Sequence, residues 1–142
     1  VTAAIANDGK LMKPYMVDQL TFNLDLIEKH EPQEMSRPLS AANAQKLQEM
    51  MVNVVETGTG APAKINGTTV GGKTGTAQHG EGNKKRPYAW FISYAENPDK
   101  SSPVAVAVVI EDSGADRENI SGGGLAAPVA KAVMEAVLKG QR

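Results

Sequence analysis

Three side chains in the stretch Gly67 to Gln78, GTTVGGKTGTAQ, are equipped for chemistry. Lys73 is a fixed cation, and Thr74 and Thr76 are hydroxyls two residues apart. Two catalytic patterns overlap on them. Gly67 to Thr74 spells G-x-x-x-x-G-K-T, the P-loop that cradles nucleotide phosphates. Lys73-Thr74-Gly75 spells K-T-G, a strand motif of serine acyl-transfer enzymes. The elements on either side must decide between them.

A P-loop works because it joins a buried strand to a helix N-terminus, whose amides and dipole receive the phosphates. A later segment, VAVAVVIED, even resembles the apolar strand and acid that hold magnesium in such enzymes. Yet Gly67 is preceded by APAKIN, which has a proline and one large aliphatic residue and is no buried strand. Thr74 is followed by GTAQHGEGN, with three glycines and no helical periodicity. Both requirements fail, and Gly67 reads as a turn glycine.

Acyl transfer at a serine asks instead for a strand edge beside the nucleophile. On a strand, Thr74 and Thr76 share a face and can grip one carboxylate. Gly75 between them lets another element approach the backbone. Lys73 favours an anionic substrate, and an edge N–H can join an oxyanion hole. K-T-G by itself is only three residues, so its surroundings carry the weight.

Those surroundings read as follows. VTAAIAND is helix-like with Gly9 as its C-cap, but it lacks an N-cap and spans under three turns. The expectation is a chain that starts inside a helix of something larger. In VDQLTFNLDLIEK, Leu20, Phe22, Leu24 and Leu26 alternate with polar residues as in a half-buried strand; a turn near Asn23 makes a hairpin the equal alternative. EPQEMSRPLS reads as a linker. Ser40 N-caps a helix over AANAQKLQEMMVNVVET, with Leu47, Met51, Val54 and Val55 on one face and Gly58 as the stop. Met50 and Met51 are both assigned to the core, and GTGAPAKINGT is irregular.

Three strands are expected next: TTVGGKTGTAQ, Tyr88 to Ala95, and Pro103 to Glu111. In the second, Trp90, Ile92 and Tyr94 share one face, Phe91 and Ser93 the other, and Trp90 is assigned to the core. The third is apolar on both faces, which predicts a central strand covered on both sides. Short connectors, ENPDKSS among them, favour antiparallel hairpins. SGADRENISGGG reads as a flexible loop, and LAAPVAKAVMEAVLKG as a closing helix with Val129, Val133 and Val137 stacked, joined by Met134 and Leu138. The fold class is α/β of the α+β type, an antiparallel sheet flanked by helices.

The bulk properties agree with an ordinary globular chain. It has 142 residues, 41% of them hydrophobic, and a net charge of -1, without the clear basic excess that favours nucleic acid. No apolar run approaches the ~18 residues of a membrane helix. With no cysteine, disulfides and thiolate metal sites are excluded. His30 and His79 stand alone and read as solvated loop residues, and no metal is expected. NKKRP at 83–87 is a short basic loop, Glu111-Asp112 receives no chemistry, and the SGGG glycines favour a hinge or tight packing over anion binding.

Taken together, AAIANDGKLMKPYMV, LQEMMVNVVETGTG, VGGKTGTAQ, YAWFISYA, VAVAVVIED and GGGLAAPVAKAVMEAVL resemble, in order and spacing, the C-terminal half of a class B penicillin-binding protein transpeptidase domain. The resemblance covers essentially the whole chain. It implies a five-stranded antiparallel sheet between helical layers and a D,D-transpeptidase that cross-links peptidoglycan stem peptides ending in D-Ala-D-Ala and is trapped by β-lactams. It implies no cofactor. Carried over by position, Lys73 is the K-T-G lysine, and Thr74 and Thr76 bind the substrate carboxylate beside Gly75. The Thr76 N–H completes the oxyanion hole, and Gln78 binds further along the edge. It also implies a domain outside the cytoplasm, anchored to the membrane by an N-terminal segment, with cell-wall synthesis proteins as partners. None of Ser36, Ser40, Ser93, Ser101, Ser102, Ser113 or Ser121 begins S-x-x-K or S-x-N, the family's nucleophile and second motifs. The chain is therefore expected to be one wall of a site, completed by the remainder of the same domain. A serine β-lactamase or β-lactam sensor is the nearest alternative, followed by a non-catalytic scaffold.

Overall fold

The computed structural model describes residues 1–99 and 103–140. In chain order the elements are helix α1 (Thr2–Ala6), strands β1 (Leu11–Met12), β2 (Gln19–Phe22), β3 (Asp25–Lys29) and β4 (Glu34–Ser36), helix α2 (Ala41–Glu56), strands β5 (Thr69–Ala77), β6 (Tyr88–Glu96) and β7 (Val104–Ile110), and helix α3 (Ala127–Gly140). β5, β6 and β7 form one antiparallel sheet in that order, joined as consecutive hairpins. Lys100 to Ser102 of the ENPDKSS connector lie outside the described residues. Among the described residues this sheet has three strands, where the resemblance implies five for the complete domain.

The period-2 pattern of β6 builds the core. Phe91 and Ala95 point toward α3 and are fully buried there with Val55, Ala126, Ala130 and Met134. Tyr94 points the other way, into a smaller cluster with Ile5 of α1 and Met51 of α2. Helices thus lie on both faces of the sheet, as the class requires. The glycine pair ahead of Lys73 makes room for both rings. A Cβ on Gly71 would sit 2.2 Å from the Tyr94 ring, and one on Gly72 2.4 Å from the Phe91 ring. The Tyr94 hydroxyl donates to the Gln48 carbonyl at 3.4 Å, and burial, then nearby Glu96, pushes its pKa up to about 12.

Local signals hold where they rest on hydrogen bonding. The Ser40 hydroxyl accepts from the Asn43 N–H at 3.2 Å, capping α2 as expected. Beyond α2, the Gly58 and Gly60 N–H groups both donate to the Val54 carbonyl. Gly9, at φ +84°, donates to the Ala4 carbonyl and ends α1.

Several expectations need correction. Residues 19–29 form the hairpin rather than one half-buried strand, with Asn23 and Leu24 at positive φ in its turn and every strand residue exposed. The supposed linker contributes β4, which pairs with β1. Met51 is buried, but Met50 is exposed, because residues adjacent on a helix point about 100° apart. Among the described residues β7 is the last strand of the sheet: Val106, Val108 and Ile110 pack toward α3, while Ala105, Ala107 and Val109 are not covered by this chain. Trp90, paired with Val109, is 39% exposed and does not belong to the core. In α3, Val129 and Val133 are exposed, and the buried stripe is Ala127, Ala130, Met134 and Leu138. Small alanines let the helix sit close to the sheet, a preference that side-chain size alone does not signal.

Candidate active site

Strand β5 carries the K-T-G residues in unbroken register with β6: Lys73 opposite Ile92, Thr74 opposite Phe91, Gly75 opposite Trp90 and Thr76 opposite Ala89. A strand runs through the whole segment, and Gly67, at φ +75°, sits in a turn closed by Thr68 N–H to the Ile65 carbonyl. No strand ends before this glycine and no helix begins after Thr74, so the P-loop geometry is absent. Among the described residues β5 pairs with β6 alone, leaving its other edge open.

On that strand Thr74 and Thr76 share a face, Thr76 exposed and Thr74 half-buried. Lys73 is exposed, and its Nζ donates to the Thr74 carbonyl at 2.7 Å. Edge groups alternate along an antiparallel strand, so the Thr76 N–H faces the same side as the Thr74 carbonyl. The two hydroxyls thus share one face, Lys73 leaves the other, and its ammonium bends back to the Thr74 carbonyl.

A glycine turn backs this strand. Gly122–Ala126 forms a wide turn that leads into α3, with the Ser121 hydroxyl accepting from the Gly124 N–H at 3.1 Å. A Cβ on Gly122 would lie 2.0 Å from the Trp90 carbonyl oxygen and 2.9 Å from both N and O of Gly75. A Cβ on Gly123 would lie 2.1 Å from the Thr59 carbonyl oxygen. Tight packing is thus the role of SGGG, and Gly75 is bare where another backbone meets it.

Two residues escaped the sequence reading. Thr59 places its Oγ1 2.8 Å from Thr74 Oγ1. Its only local signal is a threonine between two glycines just after α2. Arg117 donates to the Gln78 side-chain oxygen (2.5 Å), the Asn83 carbonyl (2.6 Å) and the Lys85 carbonyl (2.5 Å). It therefore ties the 113–124 segment, expected to be a flexible loop, to the β5–β6 connection. Gln78 is exposed at the end of β5 with its oxygen already engaged.

The remaining candidates fall outside this cluster. His79 bonds the Arg86 carbonyl at 2.7 Å and stacks on Tyr88, while His30 stacks on Tyr15. Arg86 pairs with Asp112 at 3.4 Å across the loops. Ser93 is fully buried under α3. A cavity of about 600 Å³ opens beside Thr69, Tyr94 and Glu96 at the opposite end of β5, away from Lys73.

Comparison with known proteins gives the arrangement a family. The model of the penicillin binding protein transpeptidase domain matches residues 1–135. A peptidoglycan D,D-transpeptidase PbpA of Mycobacterium tuberculosis is 41% identical over 143 residues, covering 99% of this chain and 28% of the relative. The crystal structure of PBPA from Mycobacterium tuberculosis superimposes with a TM-score of 0.82 at 40% identity, over 96% of this chain and 32% of that one. The same organism's penicillin-binding protein A as a penicillin G acyl-enzyme complex gives 0.79 at 38% identity, over 96% and 30%. The chain spans less than a third of the length of these relatives. With an open K-T-G strand, a sheet between helices and a family match over nearly its full length, this chain belongs to the penicillin-binding protein transpeptidase domain family.

Proposed function

We propose that this chain supplies the K-T-G wall of a D,D-transpeptidase that cross-links peptidoglycan stem peptides, and that it is the C-terminal portion of that domain. A serine on the remainder of the domain attacks the carbonyl of the D-Ala-D-Ala bond, D-alanine leaves, and an amine of a second stem peptide takes the acyl group. β-Lactams, acting as D-Ala-D-Ala mimics, stop the cycle at the acyl-enzyme.

The observation that carries this reading is the edge of β5 left open among the described residues, with Thr74 and Thr76 on one face and the Lys73 ammonium at the Thr74 carbonyl. Thr74 and Thr76 donate to the substrate carboxylate, a pairing stronger than a neutral hydrogen bond. The Thr76 N–H, on the edge strand, meets the oxyanion as it forms. Lys73 stabilises negative charge on the serine side of the cleft, and Gly75 keeps the strand thin. Since Arg117 holds the Gln78 oxygen, Gln78 offers a ligand its amide N–H groups only. The remaining strands of the sheet, the nucleophile and a membrane anchor that keeps the domain outside the cytoplasm belong to the rest of the protein, as do contacts with other cell-wall synthesis proteins.

Fluorescent penicillin labelling tests the reading. The isolated 142 residues form no covalent adduct. In the complete protein, Lys73→Ala lowers the acylation rate by about 10²-fold or more, on the scale of losing one charge-stabilising group. Its circular dichroism is unchanged, because Lys73 is exposed. Near-normal acylation of this variant removes Lys73 from the mechanism.

A further inference from the structure

Thr74 is the K-T-G hydroxyl, yet it does not stand alone. Its Oγ1 lies 2.8 Å from Thr59 Oγ1, a residue fifteen positions earlier in the chain. A threonine hydroxyl carries one donor proton and two acceptor lone pairs. A carboxylate can only accept, so Thr74 must spend its single proton on the substrate. That leaves its oxygen free to accept, and the Thr59 hydroxyl, 2.8 Å away, is placed to donate.

The placement of Thr59 is built rather than incidental. On its N-terminal side, Gly58 N–H reaches back to the Val54 carbonyl at 3.1 Å, and on its C-terminal side Gly60 N–H reaches the same oxygen at 3.0 Å. Gly60 is buried against Val54 and the Phe91 ring, with room there for a hydrogen but for little more. From the opposite side Gly123 presses on the Thr59 carbonyl, where a Cβ would come within 2.1 Å. The backbone of Thr59 is thus held between the end of α2 and the glycine turn. Its hydroxyl is left aimed at Thr74.

We infer that Thr59 is a positioning residue for the substrate carboxylate: by donating to Thr74 Oγ1 it turns the Thr74 proton outward and strengthens it as a donor. This rests on the transpeptidase reading above. Thr59 touches no reacting atom, so its effect falls on capture of the carboxylate, before the acyl step.

The test is penicillin G acylation of the complete protein, resolved into an apparent binding constant and a first-order acylation constant. Thr59→Val keeps the side-chain shape and removes the hydroxyl. It weakens apparent binding about three- to tenfold, the scale of one net hydrogen bond, and leaves the acylation constant within about twofold. Thr59→Ser restores binding, and Thr59→Ala repeats the loss should the valine variant fold poorly. In a Thr74→Val background, Thr59→Val has no further effect, since the group it acts through is gone. A merely structural role would lower binding equally in both backgrounds, and that result overturns the inference. So does unchanged binding in Thr59→Val with wild-type acylation intact. A wild-type protein that penicillin G never acylates removes the transpeptidase reading itself, and this inference falls with it.

Discussion

Replacing Gly122 by alanine asks whether a bare backbone contact holds the K-T-G strand in place. The added Cβ would meet the Trp90 carbonyl oxygen at 2.0 Å, and Gly75 N and O at 2.9 Å. Ordinary contact begins near 3.4 Å, so about 1.4 Å of separation must be found. Neither obstacle is the loose end of a side chain. Both belong to the ladder in which Gly75 faces Trp90. Either the wide turn lifts away, dragging the buried Ala126 and Ala127 at the head of α3, or the ladder opens beside Thr74. Overpacking of this kind costs about 1–3 kcal/mol. An opened ladder bond adds about 0.5–1.5 kcal/mol. A loss of about 2–4 kcal/mol lowers the melting temperature by roughly 5–10 °C in a domain of a few hundred residues. Thermal unfolding of the complete protein, followed by circular dichroism, reads this directly. Penicillin acylation should fall with it, because the strand proposed to bind the carboxylate is the strand displaced. Gly124→Ala is the control: its Cβ would meet only the Ser121 hydroxyl, at 3.0 Å, which can rotate away. A Gly122→Ala protein that melts within about 1 °C of wild type, with acylation intact, refutes the packing argument.

Two further outcomes follow from the same structure. Tyr94 is 3% exposed, and its pKa is pushed up from 10.0 to about 12, first by burial and then by Glu96. The folded state therefore holds this proton more tightly than the unfolded one, so the stabilisation is whole below pH 10 and is lost as pH rises toward 12. It amounts to no more than about 2–3 kcal/mol. The phenolate absorbance of wild type minus that of Tyr94→Phe should appear only near pH 12 or on alkaline unfolding, and its appearance at pH 10 contradicts the burial argument. Arg117→Ala removes three hydrogen bonds that tie Gln78, Asn83 and Lys85 to the 113–124 segment. Amide hydrogen exchange should accelerate over residues 78–87 while β6 and α3 stay protected; unchanged exchange in that loop means Arg117 does not hold it.

What the sequence determined by itself rests on short-range rules. Strand alternation put Thr74 and Thr76 on one face, and the missing strand and helix around Gly67 disposed of the P-loop. Ser40 capped its helix, and the hairpins followed from short connectors. Each of these depends on bonds within a few residues, which local composition specifies. Burial was less legible. A strand apolar on both faces looks the same whether or not this chain covers both, and Trp90, on the face opposite Phe91, is exposed where the pattern assigns it to the core. The branched valines of α3 masked the alanine stripe that faces the sheet. Tertiary structure alone decided the rest of the site. Thr59 meets Thr74, Arg117 meets Gln78, and Gly122 meets Gly75 across separations that no periodicity spans. Those contacts arise from how α2, the glycine turn and the β5–β6 hairpin pack on one another. The K-T-G strand was visible as three letters, but what holds its hydroxyl and backs its glycine exists only once the chain has folded around it.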